Sequence, residues 1–228
     1  MKHAIIATVC LLLMSCGGGS KTELKNDMDS VSYSIGLDVG RTFQRQGIEI
    51  TPDAFLQGLK DAADTSGKPL LTDDQIRACM SAFQQKLMAQ QQEKMQAQAG
   101  AALAEGEKFL SENKTKPGVV TTASGLQYKV ISAGSGKKPK AVNEVRVHYR
   151  GRLLDGTEFD NSYTRGEPVV FPVGGVIPGW VEALQLMPVG SKWEVYIPAS
   201  LAYGNNQTGP IPPGSTLIFE VELLGIVK

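Results

Sequence analysis

Eight aromatic side chains sit close to turn residues in the second half of this chain: Tyr149, Phe159, Phe171, Trp180, Trp193, Tyr196, Tyr203 and Phe219. A β-rich domain uses some of these for its core, so the residues around them must say what chemistry they serve. The groups that would serve other chemistries are missing. The sequence has no Cys-x-x-Cys, no Gly-x-Ser-x-Gly and no phosphate-binding loop, and beyond His3 its one histidine is His148. His148 lies in the alternating run Val145-Arg146-Val147-His148-Tyr149, which reads as a strand residue rather than a metal ligand. Metal-assisted hydrolysis and triad chemistry therefore lack their parts.

The aromatics become specific when read with their neighbours. Val147-His148-Tyr149-Arg150-Gly151, Asp155-Gly156-Thr157-Glu158-Phe159-Asp160-Asn161-Ser162, Val176-Ile177-Pro178-Gly179-Trp180, Leu201-Ala202-Tyr203-Gly204 and Phe219-Glu220-Val221-Glu222-Leu223 occur in that order. Their order and spacing resemble the FKBP-type peptidyl-prolyl cis-trans isomerases, over essentially all of residues 120–228. The resemblance implies a proline pocket floored by Trp180 and walled by Tyr149, Phe159, Phe171, Val176, Ile177 and Phe219. It also implies a hydroxyl from Tyr203 at the rim, Asp160 as a polar pocket member fixed by Arg165, the Ile177 backbone N–H as donor to a substrate carbonyl, and contributions from Ala202 and Ile211. No cofactor and no metal is implied. Val169 departs from the pattern, standing where many single-domain relatives carry an aromatic pocket residue. The loop from Asn205 to Pro210 is short and polar, and both features bear on which residue before proline is preferred.

An active site without a nucleophile has a physical rationale. Rotation about an amide meets a barrier of about 18–20 kcal/mol that comes from C–N resonance. The planar, charge-separated form is stabilised by water, so an apolar aromatic cavity weakens it more than it weakens the twisted state. Fixed donors can then favour the twisted geometry.

These residues need elements to hold them. After Pro117-Gly118 the apolar period becomes two, which predicts strands near Leu126–Ile131, Glu144–Leu153, Lys192–Ile197 and Thr216–Leu224. One short helix is predicted over Gly179–Met187, opened by Pro178 and closed by Pro188. The fold class is α+β: a curved antiparallel sheet wrapped around one short helix, preceded by an all-α segment.

That segment covers residues 29–115. Asp29 is the expected N-cap of a first helix carrying Val31, Ile35, Val39 and Phe43, which Gly47 ends. Thr51 and Pro52 open a second with Phe55, Leu56 and Leu59. Thr72 with Gln75 reads as a capping box for a third that nothing interrupts before Pro117. A helix of about 40 residues is roughly 60 Å long. Its middle, from Ala89 to Gln98, is mostly Gln, Glu and Lys, all good helix formers, with little to bury. Two short one-faced helices cannot build a core alone, so their apolar faces are expected to meet those of a second copy in a homodimer. The segment resembles, less specifically, the dimerisation domain of the macrophage infectivity potentiator group and its periplasmic relatives.

The N-terminus is a separate object. Lys2 precedes an apolar stretch from Ala4 to Met14 that is too short to span a bilayer, as in a signal peptide. Leu13-Met14-Ser15-Cys16 resembles the bacterial lipobox, with Met14 an uncommon choice, and implies lipid attachment at Cys16 and a membrane-anchored location facing the periplasm or cell surface. The alternative is an ordinary secretory signal with an incidental Cys16. Residues 17–28, opening with three glycines, read as a flexible tether, and residues 116–228 as the isomerase domain. Of three cysteines only Cys79 would remain in the processed body, so no internal disulfide forms there, and on an apolar helical face it serves packing. With 23 basic and 23 acidic residues and no basic cluster, a nucleic-acid partner is disfavoured. Unfolded or proline-containing polypeptides are the expected partners. The rival reading is a holding chaperone whose second half only recognises proline segments; a purely structural lipoprotein predicts no pocket at all.

Overall fold

The computed structural model describes residues 23–64 and 67–227. The predicted signal, lipobox and Cys16 lie outside the described residues. The chain divides into two compact units, one ending at Asp73 and one beginning at Asp74.

The first unit holds α1 (Asp27–Gln46) and α2 (Pro52–Ala63). Helix α1 starts two residues before the expected cap. Asn26 takes that role because its side chain accepts from the Asp29 N–H, while Asp27 and Asp29 place negative charge in the first turn. Gly47 ends the helix in a left-handed conformation (φ 67°), as expected. Thr51 precedes Pro52 at the start of α2, but its side chain makes no capping bond. Phe43 and Phe55 meet edge to face at 6.1 Å and join the two helices. Neither helix buries a single residue: Val31, Ile35, Leu56 and Leu59 are each about half exposed.

The second unit begins with α3 (Asp73–Asn113), an unbroken helix of 41 residues that includes the Gln-rich stretch. Its buried residues are Ala99, Gly106 and Asn113, seven apart and hence on one stripe. Among the described residues no helix is long and apolar enough to cross a membrane.

Seven strands follow: β1 (Val119–Thr121), β2 (Gln127–Ser132), β3 (Glu144–Arg152), β4 (Glu158–Asn161), β5 (Val169–Pro172), β6 (Lys192–Ile197) and β7 (Leu217–Ile226). They form one antiparallel sheet in the order β1-β2-β6-β7-β3-β4, and β5 also pairs with β3. The four predicted strands appear within one or two residues of their expected ends. The three short ones, β1, β4 and β5, have too few residues to show a period. They form because long neighbours offer unpaired edges. Helix α4 (Pro178–Leu186) buries Trp180, Ala183 and Leu184. The sheet's inner face supplies the other side of this core, with Val145, Val147 and Tyr149 of β3, Trp193, Val195 and Ile197 of β6, and Leu217, Phe219 and Val221 of β7.

Candidate active site

The period-two alternation of β3 sends Val145, Val147, Tyr149 and Gly151 inward, and Arg146 and Arg150 outward. Gly151 pairs with Asp160 of β4 on one side and with Phe219 of β7 on the other. The turn before β4 is closed by Gly156 N–H to Leu153 O and by Thr157 N–H to the Asp155 side chain at 2.8 Å. It delivers Phe159 and Asp160 to the edge of β3. Across the sheet, Ile177 and Pro178 start α4; Pro178 fits the first helical position, and extended backbone at Ile177 (φ −59°, ψ 148°) suits a residue before proline.

These elements enclose a cavity of about 710 Å³. It is lined by Tyr149, Phe159, Asp160, Phe171, Val176, Ile177, Trp180, Tyr203, Ile211 and Phe219, which are ten of the twelve pocket residues expected from the sequence. The Trp180 ring is buried and meets three rings edge-on: Tyr149 at 5.3 Å and 89°, Phe171 at 5.8 Å and 80°, and Phe219 at 5.2 Å and 85°. Edge-to-face contacts of this kind fix ring planes as well as adding stability. Phe159 stands edge to face on Phe219 at 5.5 Å. That approach is possible because Gly151 lies beneath both rings; a Cβ there would fall 2.6 Å from Phe159 Cε2 and 2.7 Å from Phe219 Cε1.

One polar network enters this apolar space. The Tyr149 hydroxyl donates to Asp160 Oδ2 and accepts from Arg165 Nη2 at 2.9 Å, while Arg165 Nη1 pairs with Asp160 Oδ1. Burial pushes the Asp160 carboxyl up, but hydrogen bonds from Tyr149 and Arg165 and the guanidinium charge outweigh it and hold the pKa below its ordinary value. Burial, together with the adjacent carboxylate, raises the Tyr149 phenol. At neutral pH the pair is therefore a carboxylate and a donating phenol. Arg165 is exposed and lies outside the cavity wall, acting through its two partners.

Ala202 is the other expected residue that does not line the cavity. It ends the single turn Ala199–Leu201, with its N–H bound to Ala199 O, and packs beside the core while Tyr203 next to it takes the rim. The wall also includes Gly175, which the sequence did not mark, and Thr208, Gly209 and Pro210, which belong to the Asn205–Pro210 loop expected to bear on specificity but were not named singly as pocket residues. Their signal was weak: Gly175 ends the single turn Val173–Gly175 just before Val176, and Thr208, Gly209 and Pro210 are small or polar loop residues brought in by an isolated Thr208–Ile211 bridge. Val169 sits on β5 opposite Val147, packed beside the core rather than in the wall. His148 is a strand residue as expected, stacked on Tyr163 at 4.5 Å and hydrogen-bonded to Ser162 at 2.9 Å. No cluster of His, Cys, Asp and Glu able to hold a metal occurs among the described residues. The lining groups that can ionise are Tyr149, Asp160 and Tyr203. Such a cavity can desolvate a small ring and offer hydrogen bonds to its substituents.

Comparison with known proteins agrees with this geometry. A family profile described as "FKBP-type peptidyl-prolyl cis-trans isomerase" matches residues 135–224, and one described as "Domain amino terminal to FKBP-type peptidyl-prolyl isomerase" matches residues 28–130. The chain is 48% identical over 208 residues to the "Outer membrane protein MIP" of Legionella longbeachae, covering 91% of this chain and 89% of that one. It is 50% identical over 199 residues to the "FKBP-type 22 kDa peptidyl-prolyl cis-trans isomerase" of Escherichia coli K12, covering 86% and 94%. Its structure matches the crystal structure of FkpA from Escherichia coli with a TM-score of 0.75 at 39% identity, over 90% of this chain and 98% of that one. With the aromatic cavity, these matches over most of the chain place it in the family of FKBP-type peptidyl-prolyl cis-trans isomerases.

Proposed function

We propose that the Trp180-floored cavity is where this enzyme turns X-Pro bonds, and that it does so on exported polypeptides as they fold. The carrying observation is the enclosure of Trp180 by three edge-on rings in a cavity whose ionisable groups are two phenols and one carboxylate. The proline ring sits on Trp180, and Tyr149, Phe171, Val176, Ile177 and Phe219 strip water from the imide. Desolvation disfavours the resonance-stabilised planar form relative to the twisted one, whose barrier in water is about 18–20 kcal/mol. The Ile177 N–H and the Tyr203 hydroxyl donate to carbonyls as the bond twists, and Phe159 and Ile211 close the sides. Arg165 holds Asp160 charged, and Asp160 orients Tyr149. Uncatalysed X-Pro isomerisation takes tens to hundreds of seconds, long enough to limit folding.

The same reading makes the protein a homodimer, anchored to a membrane through lipid on Cys16 and facing the periplasm or cell surface. Support for the dimer comes from α1 and α2, which bury nothing in one copy yet carry exposed Val31, Ile35, Leu56 and Leu59. Such faces are unusual on a lone soluble unit. Two pockets on one dimer would raise the local concentration of sites for an unfolded chain. Those exposed faces also favour a second reading, a chaperone that holds clients and only recognises proline.

Isomerisation of a short X-Pro peptide by the body from Ser20 onward separates the two readings. Catalysis weakened by Asp160→Ala and by Tyr203→Phe supports the active site; no rate above background leaves the holding chaperone. Sedimentation of the same body tests assembly, and a monomer removes the dimer reading.

A further inference from the structure

Helix α3 does more than lead into the sheet, because over its last four turns it packs on Thr216, Gln127 and Tyr196 and, at Ala99, on the base of the loop that forms one wall of the cavity. The stripe Ala99, Gly106 and Asn113 is buried against the segment Gly214–Thr216 and against Gln127. A Cβ on Gly214 would meet the Ala99 carbonyl oxygen at 2.5 Å and its Cα at 3.0 Å, so backbone touches backbone there. A Cβ on Gly106 would meet Thr216 Oγ1 at 2.2 Å. At the helix end Asn113 Nδ2 donates to Gln127 Oε1 at 3.0 Å, Gln127 Nε2 donates to Leu110 O at 2.9 Å, and Phe109 lies 5.8 Å from Tyr196.

Gly214 is also the base of the wall loop. Its N–H donates to Gly204 O at 2.9 Å, closing residues 204–214 into a loop that Thr208 and Ile211 bridge internally. Tyr203 precedes the loop, and Thr208, Gly209, Pro210 and Ile211 on it line the cavity. Asn205, at its start, shares the edge of a groove with Met95, Ala99 and Leu103 of α3. One face of the loop base is thus set by Gly204 and the other by the helix backbone.

We propose that Ala99 and Gly106 are positioning residues for catalysis, and that α3 sets the distance between the 208–211 wall and Trp180 through its contact with Gly214 and Thr216. This rests on the cavity being the prolyl site. Small side chains are required at both positions because any larger one lifts the helix and releases the loop base. Misplacing a binding group by about 1 Å can cost on the order of 100-fold in rate.

The test uses the full-length protein and short X-Pro peptides that differ in the residue before proline. Ala99→Leu wedges the helix from Gly214. Gly106→Ala leaves α3 a better helix by about 1 kcal/mol but collides with Thr216; adding Thr216→Ala removes the colliding oxygen. Gly100→Ala is the control, since a Cβ there meets nothing within 4 Å. The expected result is a fall in kcat/KM of about tenfold or more for Ala99→Leu and Gly106→Ala, carried mainly by KM and unequal among the peptides. Gly100→Ala should match wild type, and the Gly106→Ala, Thr216→Ala pair should recover. Unchanged KM in both single variants overturns the proposal, and so does a loss that merely follows the folded fraction by circular dichroism. A wild type that binds peptide without turning it over removes the isomerase reading instead, and the same variants compared by peptide Kd still decide the positioning role.

Discussion

Replacing Gly151 by alanine puts a methyl group beneath the two rings that close the proline cavity. The new Cβ would lie 2.6 and 2.7 Å from Phe159 Cε2 and Cζ, and 2.7 Å from Phe219 Cε1. Carbon atoms settle at about 3.5–4.0 Å, so each ring has to retreat by roughly 1 Å. Backbone motion offers little relief, because Gly151 is paired on both sides, with Asp160 and with Phe219 itself. The free space beside the rings is the cavity they line, and Phe219 is already held at 5.2 Å from Trp180. Overpacking of this kind costs about 1–3 kcal/mol of stability. Displacing two of the cavity walls together by about 1 Å should cost between tenfold and 100-fold in kcat/KM. The assay is peptide isomerisation at a temperature where the variant is fully folded, with urea unfolding for stability. Phe159→Leu in the same chain should return most of the stability without restoring activity, since it makes room and removes a wall. Gly225→Ala is the control on a neighbouring strand, where a Cβ meets nothing within 4 Å. A Gly151→Ala protein with wild-type stability and activity would refute the close-packing argument.

Three further outcomes are expected. Asp160→Asn keeps the shape but removes the charge, and activity on a short X-Pro peptide should fall about threefold to thirtyfold, within the range for a charge-assisted hydrogen bond that is part solvated. The folded Asp160 pKa lies below its ordinary 3.8, so its contribution to stability is complete above that pH and disappears as the pH falls through the folded value. The stability difference between wild type and Asp160→Asn should thus be flat from about pH 8 to 5, within about 1 kcal/mol for so exposed a pair, and should close below pH 3.8. Asn113→Ala leaves the buried Gln127 Oε1 without its donor and should cost about 1–3 kcal/mol in urea unfolding, with the α3 end losing protection first in hydrogen exchange.

Local chemistry and period made much of this protein legible. Gly47, Thr51-Pro52 and Pro178 mark helix ends by their own backbone preferences, and β3, β6 and β7 are long enough for alternation to show. The pocket aromatics other than Phe171 could be named because each sits in a motif whose neighbours are themselves distinctive, while Phe171 followed from the family resemblance. Gly175, Thr208, Gly209 and Pro210 could not be named singly, since Gly175 reaches the wall at the end of a single turn and the other three through a loop folding back on itself, not from any preference of their own. Ala202 and Arg165 mark the opposite limit: both adjoin the site in sequence, yet one turns toward the core and the other reaches the cavity only through Asp160 and Tyr149. The short strands β1, β4 and β5 were invisible for a related reason, as three or four residues carry no period and wait on an edge to pair with. Sequence alone thus determined the helices, the four longer strands, the aromatic set and the family. Tertiary structure decided that Gly151 lets two rings meet and that Ala99 and Gly106 bring a helix onto the cavity wall, because a glycine or alanine announces nothing about what will be packed against it.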